Sequence, residues 1–445
     1  LHGGQSRLPD KSPKHSFRLA FRGKYGPKKM EYDLFGETAT DRFDNLVLIA
    51  GFNLTWTHFI GKQRKHAHYI ADSWTKDAFR RMGHISAHNK FCHLYLNGLY
   101  WGVYNLSERL DEEFMESYLG GQEEDYDIFK DFEEMKNGNY EAWGEMLDLS
   151  HDPKNFLRIQ GKNEQGESDP SLPNYLDMDQ FIDYMILNFY IGNLDWDMHN
   201  WVAARNRKEP GKGFKFFPWD SEHSFLSVNH DVTKDYVEKR ASYFFHVLKE
   251  NPFFQQKFSD RAKSLLGKGG ILSPDSVAYH WKEKSEEISL ALIAEAARWG
   301  DYRRDVHSYK LGPYNLYSPK SQWNIEQKRL FDTYFPMRSA RVLRMLRSQD
   351  LVKSEETHVA LHGVYPNPVQ DYAKIFYELD SFQATSIELF DSHGKWMKSL
   401  LKENKEKGLH ELNCNTQDLP NGLYFYRIQA GEHDVWGKLF IGGNR

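Results

Sequence analysis

Asn193-Leu194-Asp195-Trp196-Asp197-Met198-His199-Asn200, followed by Phe217-Pro218-Trp219-Asp220, decides the reading of this chain. An Asp, an Asn five residues on and a later Asp stand behind an apolar run. Carboxylate and amide oxygens are the donors that a hard cation prefers. A separate carboxylate can orient a hydroxyl and accept its proton. The spacing therefore points to chemistry on a metal-bound phosphate.

Protein kinases place the same residue types in the same order. A catalytic-loop Asp orients the attacking hydroxyl, the Asn five positions later holds Mg²⁺, and a later Asp holds metal against the ATP phosphates. The flanking glycine loop and the kinase signature words are missing, so this is not an ordinary protein kinase. Taken singly, each residue has a plainer reading. Asp195 could cap a turn, Asn200 could be a turn amide, and Asp220 could cap a helix after the Pro-Trp turn. Their common register favours the chemical reading. Asp197 competes with Asp195, but only Asp195 has the kinase-loop spacing to Asn200.

Composition narrows the class. The 445 residues allow two or three domains with real cores. Hydrophobic residues make up 40% and aromatics 15%, which excludes disorder. A net charge of −5 shows no basic excess, so no nucleic-acid partner is expected. No apolar run is long enough to form a transmembrane segment. The chain opens at Leu1 within sequence that reads as folded, so the N-terminus is expected to be truncated. Cys92 and Cys414 fall in different expected domains, and no disulfide between them is expected.

The organisation follows from periodicity. Ser16 to Phe21 and Asn45 to Ile49 read as strands. Ile70 to Met82 reads as a helix, with Trp74, Ala78 and Met82 on one face. His93 to Leu106 reads as a hairpin about Asn97-Gly98, a type I′ turn pair. A helix begins at Asp111, and a short strand ends at Lys130. Asp177 to Tyr190 is an apolar helix that delivers the chain to Asp195. Trp201 to Ala204 and Phe214 to Phe217 are strands. Val237 to Trp299 is mostly helical, and Gln327 to Leu351 is another long helix. Near Ser354 to His358 helical periodicity stops. Short alternating strands follow at Lys374–Tyr377, Ser386–Phe390, Leu423–Ile428 and Val435–Ile441, the pattern of a small β-sandwich.

Several segments carry a family resemblance. They are Pro13-Lys14-His15-Ser16-Phe17-Arg18-Leu19, Tyr95 to Tyr104, Glu108-Arg109-Leu110-Asp111, Tyr126-Asp127-Ile128-Phe129-Lys130, the Asp195 segment and Pro218-Trp219-Asp220. Through them the chain resembles the spore coat protein H (CotH) kinase family. The resemblance implies an atypical protein-kinase-like fold that uses ATP and Mg²⁺, or Mn²⁺, to phosphorylate secreted or surface proteins. Tyr365-Pro366-Asn367-Pro368, Leu389 to Lys395, Leu419 to Tyr424 and Lys438-Leu439-Phe440-Ile441 resemble a type A C-terminal sorting domain of the type IX secretion system. That resemblance implies export to the cell surface or beyond, through the type IX machinery. The expected fold class is thus α+β, a kinase-like catalytic domain over residues 1–353, a linker at 354–361 and a small all-β sandwich over 362–445.

Within this frame Asp195 is the expected catalytic carboxylate, and Asn200 and Asp220 are the metal ligands. Lys130 closes an apolar strand, so its amine can reach inward to phosphate while its stem packs. Lys14 is the alternative. Glu108 could pair with such a lysine, as in kinase Lys–Glu pairs, or cap the next helix. Asn97, Gly98 and Gly102 could cover phosphates through backbone N–H groups, though an Asn-Gly hairpin is more often only a hairpin. His199 has no second His or Cys at zinc-ligand spacing. Trp196, Trp201 and Trp219 read as core and cleft walls. The expected function is Mg²⁺-dependent transfer of the γ-phosphoryl of ATP to Ser or Thr hydroxyls of an exported protein substrate. Two other functions fit the same residues: a silent surface or adhesion module, and transfer of another ATP-derived group such as adenylyl.

Overall fold

A computed structural model describes residues 1–131, 134–307, 315–352 and 358–442. The first sheet holds β1 (Phe17–Ala20), β4 (Asn45–Ile49), β5 (Asn89–Leu96) and β6 (Leu99–Glu108) in the order β1-β4-β6-β5. Two residue pairs, β2 (Met30–Glu31) and β3 (Arg42–Phe43), form a separate ribbon. The expected hairpin closes at Asn97 and Gly98, whose φ values of +51° and +78° fit a type I′ turn.

The second sheet carries the decisive segment. It contains β7 (Tyr126–Lys130), β8 (Glu134–Asn137), β9 (Trp201–Asn206) and β10 (Lys215–Pro218) in the order β10-β9-β7-β8. Its register fixes what meets at one edge. Lys130 lies opposite Val202, and Pro218 lies opposite Trp201. The end of β7, the start of β9 and the end of β10 therefore converge, which brings Asp131, Asn200 and Trp219 to the same end of the sheet.

A helix over Met178–Ile191 supports this sheet from behind. Asp177 caps it by accepting from Gln180 N, and every residue of it except Asp179 is buried. Gly192 ends it with φ +61°, a left-handed cap whose N–H bonds back to Asn188. The helix Ala71–Arg81 packs on the same core through Trp74, Ala78 and Phe79. Helices Ala241–Leu248, Pro252–Leu266, Pro274–Ser289 and Ala291–Trp299 fill the expected helical region. The long helix expected over Gln327–Leu351 is in three pieces, Asn324–Arg329, a π-type segment Leu330–Tyr334, and Phe335–Arg347. The pieces run on without a break, and Pro336, which has no N–H to give, is the second residue after the π-type segment.

The C-terminal unit is all β. β11 (Val359–Tyr365), β12 (Tyr372–Leu379) and β15 (Gly408–Asn415) form one sheet. β13 (Gln383–Asp391), β14 (Trp396–Lys405), β16 (Gly422–Ala430) and β17 (His433–Ile441) form the other. Residues of both sheets share a core that includes Ile375, Tyr377, Ile387, Leu389, Ile428 and Leu439. Residues 354–357 of the expected linker lie outside the described residues. The rest of it, from Val359, is already strand. The two units meet in a polar seam. Tyr365 donates to Asp275 at 2.7 Å, and Arg344 donates to Glu378 at 3.0 Å. Cys92 and Cys414 are both free thiols. No described helix is long and apolar enough to cross a membrane.

Candidate active site

A cleft of about 850 Å³ takes lining residues from both sheets, Ile49 from the first and Lys130, Glu134 and Lys136 from the second. Asp195, Asn200, Asp220 and Lys130 all line it, together with Asp131, Glu222, His223, His199 and Asn53. Residues 1 to 7 and the His58–Ile60 segment also contribute to its wall.

Asp195 stands on the turn after the Met178–Ile191 helix. Asn193 Oδ1 accepts from Asp195 N at 3.2 Å, an Asx turn. Its carboxylate is held at both oxygens. Asn53 Nδ2 donates to Oδ2 at 3.0 Å, and His223 Nδ1 meets Oδ1 at 3.2 Å. Asp197 faces the other way. It is buried and accepts from Ser242 N at 2.7 Å and Ser242 Oγ at 3.0 Å. Burial pushes its carboxyl up to about 6. It therefore serves the Ala241–Leu248 helix, and Asp195 alone faces the cleft.

Asn200 takes its place from two bonds. Its main-chain N–H donates to Asp131 Oδ1 at 2.8 Å, and its side-chain amide donates to the Asp220 carbonyl at 3.0 Å. The amide oxygen is thus the donor left for a cation. Asn200, Asp220 and Asp131 all hold left-handed φ values, +68°, +54° and +52°. Such values are uncommon for residues other than glycine and are tolerated best by Asn and Asp.

The electrostatics concentrate on Asp220. Its side chain opens into the cleft but is crowded by protein, and its carboxyl is pushed up to about 7. Desolvation is the main cause, followed by repulsion from Asp72, with Asp195 adding to it. Lys130 and Lys76 act in the opposite sense. Glu222 is raised well above the usual range by burial and by Asp220, while N–H donation from Phe52 and Asn53, at 2.9 Å each, opposes the shift. The cleft floor therefore crowds together more carboxyl groups than lysines, and Asp220 and Glu222 hold their protons more readily than usual.

Two lysines flank Trp219. Lys130 Nζ stands 5.2 Å and Lys76 Nζ 4.8 Å from its ring centroid. Lys130 also lies 3.6 Å from Asp131. Lys76 is fully buried and pairs with Asp72 at 2.7 Å. The other oxygen of Asp72 accepts from Ser221 N at 2.9 Å, which ties this pair to the Asp220 segment.

The remaining candidates lie elsewhere. Asn97 and Gly98 sit at an exposed hairpin tip and do not line the cleft. Gly102 is packed under the Ala291–Trp299 helix, where an added Cβ would come within 2.6 Å of Glu295 Oε2. Its glycine serves that close approach and not a phosphate. Glu108 accepts from His88 N at 2.7 Å and Tyr118 Oη at 2.5 Å, and among the described residues it pairs with His88 and not with a lysine. Lys14 is buried and spent on Glu295 at 2.8 Å. Sequence reasoning missed Asn53, Asp72, Lys76, Asp131, Glu222 and His223. Asp72 and Lys76, four residues apart on a helix, look like an ordinary surface pair in sequence.

No group of three or more His, Cys, Asp or Glu among the described residues forms a ready-made metal cage. Mg²⁺ does not require one. It keeps several waters and is commonly held by one or two protein oxygens plus substrate phosphates. The Asp220 carboxylate and the Asn200 amide oxygen are donors of the kind that mode uses, and both residues line the cleft.

A mixed helix-and-sheet domain with an acidic cleft, joined to an all-β unit, is the class that fold and site define. Residues 1–334 match the family model described as CotH kinase protein, and the chain belongs to the CotH kinase family. Residues 363–442 match a secretion system C-terminal sorting domain. That domain engages the type IX machinery and directs the chain to the cell surface or outside. No curated protein matches the chain. Among solved structures, the crystal structure of dimeric latent PorU from Porphyromonas gingivalis matches 19% of this chain and only 9% of that one, at 19% identity and a TM-score of 0.17. So small an overlap carries no argument.

Proposed function

We propose that this chain is a secreted kinase with a protein-kinase-like catalytic domain. It transfers the γ-phosphoryl group of ATP to Ser or Thr hydroxyls of exported or surface proteins. The observation that carries the reading is the convergence of Asp195, Asn200, Asp220 and Lys130 on one cleft. Asp195 hydrogen-bonds the acceptor hydroxyl and takes its proton as the oxygen attacks the γ-phosphorus. The bond from the γ-phosphorus to the bridging oxygen breaks, and ADP leaves. Lys130 offers its ammonium to the phosphates from the edge of the cleft. Asp220 and Asn200 would hold Mg²⁺, or Mn²⁺, and when bound the cation supplies charge neutralisation on the phosphates.

Intact-mass analysis of an acceptor protein after incubation with ATP and Mg²⁺ tests this. A gain of about 80 Da per site, lost in Asp195→Ala, is expected. A much larger increment would instead indicate adenylyl transfer, and no increment with any exported acceptor would favour a silent surface module.

A further inference from the structure

We infer that Asn53 and His223 are positioning residues for Asp195, and that Glu222 clamps the Asn53 loop to the segment bearing Asp220. The inference rests on the proposed role of Asp195. Asp195 sits on an Asx turn beyond the end of its helix, and its side chain is 36% exposed. Two side chains from outside the turn hold the plane of its carboxylate. Asn53 and His223 do so from opposite oxygens, at 3.0 and 3.2 Å.

Both supports are themselves anchored. The main-chain N–H of Leu194 donates to the His223 carbonyl at 2.9 Å, so the two segments run pinned together. Glu222 Oε2 accepts the N–H groups of both Phe52 and Asn53. The same loop is held further by Leu54 N donating to Gln63 Oε1 at 2.9 Å and Thr55 Oγ1 donating to the Phe52 carbonyl at 3.0 Å. Gly51 lets the chain turn into this loop with φ +75°, and an added Cβ there would lie 2.9 Å from Thr55 Cγ2. One short stretch, Asp220 to His223, thus carries a proposed metal ligand, the clamp on Asn53 and a direct contact to Asp195. The acceptor-orienting carboxylate and the metal-binding carboxylate are set in one frame.

The chemistry requires such a frame. The carboxylate must aim a lone pair at a hydroxyl that is also in line with the γ-phosphorus. A misplacement of about 1 Å costs roughly a hundredfold in rate. Hydrogen bonds between half-exposed groups add little to folding stability. Their loss should therefore appear in kcat and leave nucleotide binding intact.

Two measurements on the full chain test this. In the first, Asn53→Ala and His223→Ala should each lower kcat for acceptor phosphorylation by about tenfold to a hundredfold, with the Kd for ATP and Mg²⁺ unchanged. His223→Asn, whose amide can donate from nearly the position of Nδ1, should recover much of the loss. Unchanged kcat in both alanine variants, or a loss of ATP affinity that tracks kcat, overturns the inference. The second measurement needs no activity. A carboxylate oxygen only accepts, so neutral His223 should carry its proton on Nδ1. Nitrogen-15 NMR should show that tautomer in the wild type and its loss in Asp195→Ala. An Nε2–H tautomer in the wild type, or no change on removing Asp195, overturns the contact. If the wild type transfers nothing to any acceptor, the proposed function fails. The tautomer then decides alone whether His223 orients Asp195.

Discussion

Asn200 donates its main-chain N–H to Asp131 Oδ1 at 2.8 Å, and both residues hold left-handed backbone conformations. The bond joins the end of β7 to the start of β9. It therefore fixes Lys130, one residue before Asp131, relative to the amide of Asn200. Asp131→Ala should free both and weaken binding of ATP with Mg²⁺ by roughly tenfold, about 1.4 kcal/mol. Asp131→Asn keeps an accepting oxygen and should lose much less. Titration calorimetry with a non-hydrolysable ATP analogue measures the difference. Equal affinities in Asp131→Ala and wild type would show that Lys130 and Asn200 are placed without this bond.

Asp220 and Asp195 should separate when mutated. Without a cation, the Asp220 carboxylate is disfavoured first by desolvation and then by repulsion from Asp72 and Asp195. Asp220→Asn should therefore raise the Tm of the metal-free protein at pH 8, while removing stabilisation by Mg²⁺ and ATP. Asp195→Ala should retain that ligand-dependent stabilisation and lose transfer. Thermal denaturation with and without Mg²⁺ and ATP, run beside the mass assay, reads both. A ligand-dependent Tm shift that survives in Asp220→Asn would remove Asp220 from the metal site.

Most of the fold could be read in the sequence because its elements carry strong local signals. The helix at Met178–Ile191 is apolar around nearly its whole circumference, with an Asp cap at one end and a Gly at the other. The type I′ pair Asn97-Gly98 fixes its hairpin. Strands β11, β14 and β15 escaped notice, and β14 is half-exposed and rich in lysine, so its alternation is blurred. That Asp195, Asn200 and Asp220 would share one cleft was legible because their spacing lies within one sheet edge and its turn. Asn53, Asp72 and Lys76 were not, since they arrive from elements more than a hundred residues away. Gly102 and Glu108 misled for a related reason. Close helix packing and a buried His88 partner place the same demands on residue type as a phosphate site would.

Asp197 provides a pH test distinct from the chemistry. Burial pushes its carboxyl up to about 6, against 3.8 ordinarily. The native state therefore binds its proton more tightly than the unfolded chain does. Stability contributed at this site is fully present below the unfolded value and falls as pH rises from about 4 to about 6, by roughly 3 kcal/mol. Asp197→Asn keeps one acceptor for Ser242 and has no proton to lose. Chemical denaturation across pH 4 to 7 should show a flatter profile in this variant than in the wild type. Parallel profiles would show that Asp197 does not couple to folding.

The sorting domain should be separable from the cleft, although the seam between the units is structured. Each unit has its own apolar core, one about the Met178–Ile191 helix and one between the two β-sheets. The contacts across the seam are polar: Arg344 and Arg347 with Glu378, and Tyr365 with Asp275. Removing one side of such contacts leaves groups that water can solvate, so the cost is small. A chain ending at residue 357 should fold, with a Tm lowered by only a few degrees, and bind ATP with Mg²⁺ as the full chain does. Without the sorting domain it should accumulate inside the cell envelope instead of reaching the surface. Charge reversal at Glu378→Arg in the full chain should loosen the seam without altering ATP affinity. Cell fractionation and ligand-dependent Tm shifts measure both outcomes. A truncated chain that unfolds, or one that still reaches the surface, would sink this division of labour.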